Sequence, residues 1–110
     1  MPKALKIGTQ TYRVIERDPS DDGGLQDSLA YTLVEANLIV VRTHLPADRK
    51  KALLFHEALH AVIYTYRRED TVETNSNFDE WEHYFIGLVK EPVLLMLRDN
   101  PELVEYLTGE

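Results

Sequence analysis

The apolar positions of the chain change period along its length, and each change predicts an element. Between Ile7 and Glu16, Gly8-Thr9-Gln10-Thr11 is followed by Tyr12, Val14 and Ile15. That pattern predicts an opening hairpin or bent strand built round a glycine turn. Asp18-Pro19-Ser20-Asp21-Asp22-Gly23-Gly24 then gathers nearly every turn-forming residue type, so the backbone is expected to leave the sheet as a mobile, solvent-facing loop. Leu29 to Val34 and Leu38 to Arg42 are apolar, β-branched runs separated by Glu35-Ala36-Asn37. With Asn37 available for a positive φ, they predict a second hairpin of two antiparallel strands.

Helical spacing takes over after Pro46. A helix is expected from about Pro46 to Tyr66, with proline in its first turn, Asp48 at the positive end of the dipole, and Arg67 and Arg68 at the negative end. Arg67 to Ser76 is polar and without period, hence a connecting loop. Asn77-Phe78-Asp79-Glu80 has the form of a capping box and should open a second helix. Its apolar stripe is Phe85, Ile86, Val89, Val93, Met96 and Leu97, and Pro92 is expected to kink it or divide it in two. Asn100-Pro101-Glu102 repeats the cap-then-proline signal and starts a short last helix to about Leu107, whose Leu103, Val104, Tyr106 and Leu107 are expected to pack on the domain. The expected architecture is α+β: a small antiparallel sheet packed on a central helix, with two further helices, in one domain spanning residues 1–110.

Composition narrows the chemistry. A chain of 110 residues suits one domain with a real core and leaves no room for a second catalytic module. The absence of cysteine excludes disulfides, zinc ribbons and a thiol nucleophile, so a metal must be held by His, Asp or Glu. No stretch at the N-terminus resembles a signal peptide and no run is long enough to span a membrane, which makes a cytoplasmic location the expectation. A net charge of −7 disfavours a nucleic-acid backbone as ligand and fits a basic or neutral protein partner better. The acidic loop lacks the spacing of a calcium-binding EF-hand and reads as solvated.

The one motif that carries chemistry is His56-Glu57-Ala58-Leu59-His60, set between Leu53-Leu54-Phe55 and Ala61-Val62-Ile63. Residues four apart stack on one helix face, so His56 and His60 can both offer a ring nitrogen to a single metal ion. Glu57 stands beside that ion, where a carboxylate can take a proton from water. It is also the only carboxylate between Leu53 and Ile63. A lone carboxylate in such an apolar stretch costs several kcal/mol unless a cation or a donor meets it, and a divalent metal also accounts for both histidines. The motif therefore reads as the centre of a small zinc-dependent peptidase.

Catalytic zinc takes three protein ligands and keeps one position for water. Counting back along the second helix from Phe85, Ile86 and Val89 leads to Glu82, which should point with the core and is the expected third ligand. His83 and Glu80 are the alternatives, although Glu80 has a role as cap partner and His83 is rotated by about 100° from Glu82. Asp79, in the first turn, is a further competitor. His44, at the strand-to-helix corner, reads as structural or exposed.

The strand, then Pro46-Ala47-Asp48-Arg49-Lys50-Lys51, the HExxH helix, and finally Leu97-Arg98-Asp99-Asn100-Pro101 together resemble the short phage- and prophage-encoded metallopeptidases of the ImmA/IrrE type. The resemblance extends from about Ile7 to Leu107, with the metal motif as its specific part. It implies a minimal gluzincin with a zincin-like fold, in which His56, His60 and Glu82 hold Zn2+ and Glu57 is the base, acting on a phage or host regulatory protein. Two departures stand out. Pro92 interrupts the second helix, and no tyrosine or histidine falls at an evident spacing to steady an oxyanion; Tyr64, Tyr84 and His83 are the candidates. SprT-type peptidases share the motif, but many carry a cysteine zinc ribbon that this chain lacks.

The expected reaction is peptide-bond hydrolysis, with an extended substrate held along the edge of the strand Leu38 to Val41. The rival expectation is a zinc-containing binding module that acts by occupying a partner protein without cleaving it. A metal-free scaffold is the third.

Overall fold

The computed structural model describes residues 1–66 and 78–109. Strand β1 (Ala4–Ile7) alternates exposed and buried positions, with Leu5 and Ile7 turned inward. Gly8, at φ 60°, reverses the chain into β2 (Gln10–Arg17), whose Tyr12 and Val14 join the same buried face. The hairpin expected here is present.

The acidic segment leaves the sheet and faces solvent as expected, with Ser20, Asp21, Gly23 and Gly24 exposed, and local hydrogen bonds tie it. Asp18 Oδ1 accepts from the Ser20 amide at 2.9 Å, and Asp22 caps a 3-10 turn over Gly23–Leu25 that buries Leu25. Strand β3 (Ala30–Leu33), a 3-10 turn at Val34–Ala36, Asn37 at φ 49° and strand β4 (Leu38–Arg42) then form the second hairpin. Asn37 takes the left-handed conformation that its short polar side chain tolerates.

The sheet order is β1-β2-β4-β3. β4 pairs antiparallel with β3 but parallel with β2, so the sheet is mixed and not the antiparallel sheet expected. The reason lies in Leu38-Ile39-Val40-Val41, all buried. A continuous apolar run needs cover on both faces, which is the environment of a central strand. β4 therefore has neighbours on both sides, and the edges of the sheet are β1 and β3.

Helix α1 (Ala47–Tyr66) buries Leu54, Glu57, Ala58, Ala61 and Val62, a stripe spaced three and four residues apart that lies on one face of the sheet. Helix α2 (Phe78–Asp99) runs without a break through Pro92. Packing of Val93, Met96 and Leu97 on the core holds it through the residue whose missing N–H would otherwise interrupt it. The stripe is fully covered only toward its C-terminal end: Met96 is buried, Phe85 and Val89 are half-buried, and Ile86 is 47% exposed. Helix α3 (Pro101–Thr108) begins on its proline and buries Leu103. Every described strand and α-helix contributes to this core, and Leu25, Leu38 and Val40 form a smaller cluster on the other face of the sheet. The Arg67–Ser76 connection, its two arginines and the Asn77 cap lie outside the described residues. No described helix is long and apolar enough to cross a membrane.

Candidate metal centre

The inward stripe of α1 fixes what its neighbouring residues can do. With Leu54, Ala58 and Ala61 in the core, His56 and His60 emerge on an exposed flank, one turn apart. Their Nε2 atoms face each other at 3.1 Å, with the ring planes at 71°. Two nitrogens about 2.05 Å from one tetrahedral ion would stand about 3.3 Å apart, so the separation of the pair is close to the one a shared ion requires.

Glu57 points the other way from solvent. It is 6% exposed, and the Thr32 hydroxyl of β3 donates to its Oε1 at 2.9 Å while lying 3.2 Å from its backbone carbonyl. The second carboxylate oxygen, Oε2, is 4.0 Å from His56 Nε2. One oxygen is thus anchored to the sheet and the other is turned toward the imidazoles. Ligand atoms of His56, Glu57 and His60 all lie within 4.8 Å of one another, and no other such group of His, Asp or Glu occurs among the described residues.

A groove of about 630 Å³ runs beside the cluster, between the Ser28-Leu29-Ala30 entry to β3 and the first turns of α1 at Asp48, Arg49, Ala52 and Leu53. Both His56 and Glu57 line it. The centre therefore opens onto a trough bounded by an edge strand.

Three of the four expected site residues come together; Glu82 does not. It is exposed on the N-terminal half of α2 and is not part of the cluster. The angular count that chose it holds, because it lies on the same helix face as Val89, Val93 and Met96. That face is only partly covered there: Phe85 and Val89 are half-buried and Ile86 is 47% exposed. Glu80 and His83 are exposed as well, and His83 lines a separate groove with Tyr66 and Tyr84. Tyr64 is 49% exposed on α1. His44 adopts φ 62° at the corner before α1, 3.8 Å from Asp18 and largely in solvent, so it stands away from the centre as expected.

Thr32 is a residue of the candidate site that the sequence pattern alone did not single out. Its signal is the period of the strand: Ala30 belongs to the core beneath α1 and Tyr31 to the opposite cluster, so Thr32 must return to the α1 side. A polar residue on that face calls for a partner across it, and Glu57 is that partner. Comparisons with protein-family models, curated proteins and solved structures find no match, so the likeness to the ImmA/IrrE type rests on the residues quoted for it.

Proposed function

We propose that the chain is a zincin-like, zinc-dependent peptidase in which His56 and His60 hold the metal and Glu57 is the general base. The observation that carries this reading is the 3.1 Å separation of the two Nε2 atoms beside a buried carboxylate. Zinc, when bound, supplies a Lewis acid that acidifies water toward neutrality. Two imidazoles are ligands of the type it accepts in a chain without cysteine, and Glu57 is the one carboxylate grouped with them among the described residues.

Glu57 takes a proton at Oε2, because Oε1 is already engaged by Thr32, and returns it to the leaving amine. The hydroxyl of Thr32 keeps the carboxylate from swinging away between these two transfers. An extended polypeptide adds along the free edge of β3, above the groove, and not along β4, which is central. Glu82 reaches the metal only if α2 closes on it, so loss of zinc in Glu82→Ala would identify that closure.

Glu57→Gln keeps the shape of the side chain but removes its basicity. Its expected behaviour is zinc content equal to that of the wild type and hydrolysis of an unfolded protein such as casein reduced at least about 1000-fold. Undiminished hydrolysis by this variant would sink the mechanism. The rival reading is a zinc-bearing module that binds a partner without cleaving it. In that case Glu57→Gln would keep the biological effect of the wild type.

A further inference from the structure

Helix α2 carries apolar residues on two faces. Opposite its core-facing stripe, Tyr84, Leu88, Glu91, Leu94, Leu95 and Arg98 recur at intervals of three and four residues and line a groove of about 840 Å³ flanked by Tyr66. Leu94 is 65% exposed at its middle. Glu91 and Arg98 are also exposed, one heptad apart, and neither has an ion-pair partner among the described residues.

We propose that this face docks a second copy of the chain, with two α2 helices packed antiparallel about a two-fold axis passing between Leu94 and Leu95. The placement of the charges argues for that occupant. Glu91 and Arg98 are equidistant in sequence from the axis, so an antiparallel pairing sets Glu91 of each copy against Arg98 of the other, twice, while Leu94 meets Leu95 at the centre. A parallel pairing would oppose like charges at both positions. An isologous contact needs a patch that complements itself, and this stripe does so in its apolar centre and in its flanking charges. The inference is independent of any metal at His56 and His60.

The test is sedimentation equilibrium of the full chain and its charge-reversal variants, with circular dichroism to verify folding. The wild type should dimerise at tens of micromolar. Leu94→Glu, Glu91→Arg and Arg98→Glu should each raise the dissociation constant at least about 30-fold, because each places a charge against apolar surface or like charge against like. An equimolar mixture of the Glu91→Arg and Arg98→Glu chains should dimerise again, since every facing pair is then of opposite sign. The double variant Glu91→Arg/Arg98→Glu should dimerise by itself, and it carries the test if a single reversal fails to fold. A wild type that is monomeric at hundreds of micromolar overturns the proposal. So do single reversals that dimerise like the wild type, or folded mixed and double variants that stay monomeric.

Discussion

Asn100 closes part of the free edge of β1 with its side chain. Its Oδ1 accepts from the Lys6 amide at 2.8 Å, and its Nδ2 donates to the Lys6 carbonyl at 2.8 Å and the Met96 carbonyl at 2.7 Å. The sequence pattern assigns Asn100 to capping α3, yet its side chain makes no cap bond, because the strand and the preceding helix take its polar atoms. Asn100→Ala should therefore cost about 2–3 kcal/mol, read from the urea midpoint at an unchanged slope, since it leaves buried backbone groups without partners. A loss below about 0.5 kcal/mol would show that water replaces those bonds. Asp22 offers a pH-dependent test. The Tyr31 hydroxyl that bonds to it, with help from Gly24 and Arg17, holds its carboxyl below the ordinary value of 3.8. A depressed folded-state pKa contributes stability that is complete above 3.8 and lost as the pH falls through the lowered value. Tyr31→Phe should lower Tm at neutral pH, and the gap from wild type should narrow below pH 3.8. A gap that widened in acid would reverse the sign. Glu57 was legible at this scale because no other carboxylate shares its apolar stretch, whereas the strand period turns Thr32 toward α1 without naming Glu57, 25 residues away, as the partner it meets.

Among the elements, faces and hairpin partners were legible, and the pairing between the two hairpins was not. The β2 run, the Asn37 turn and the helical stretch after Pro46 each follow from local spacing and turn chemistry, whereas β1 starts at Ala4, before the Ile7 at which the expected hairpin begins. Spacing is silent about how one hairpin pairs with the other, so the parallel pairing of β2 with β4 emerged only from the fold. That pairing moved the candidate peptide-binding edge from β4 to β3. The same limit explains Glu82: the stripe of α2 was read correctly, but not the point at which the core stops covering it. Gly8 links the β1–β2 turn to α1. It sits at φ 60°, and a Cβ there would lie 3.0 Å from the Tyr66 hydroxyl. Gly8→Ala should cost about 1–2 kcal/mol in chemical denaturation for the left-handed backbone alone, with more if Tyr66 cannot shift. Unchanged stability would mean that the turn relaxes to another conformation.

At the scale of the whole molecule, the core and the candidate centre share one helix. The face of α1 that packs on the sheet also sets the direction of Glu57, and the flank beside it presents His56 and His60. A chain that binds metal in its folded state alone is stabilised by that metal. The most direct measurement is therefore elemental analysis of purified wild type, His60→Ala and Glu57→Gln after dialysis, read beside their melting temperatures. About one zinc per chain in the wild type and in Glu57→Gln, with none and no zinc-dependent rise in Tm in His60→Ala, is the predicted result. A folded wild type that takes up no zinc, even from excess, would contradict the account and leave His56 and His60 as two surface histidines on a core helix.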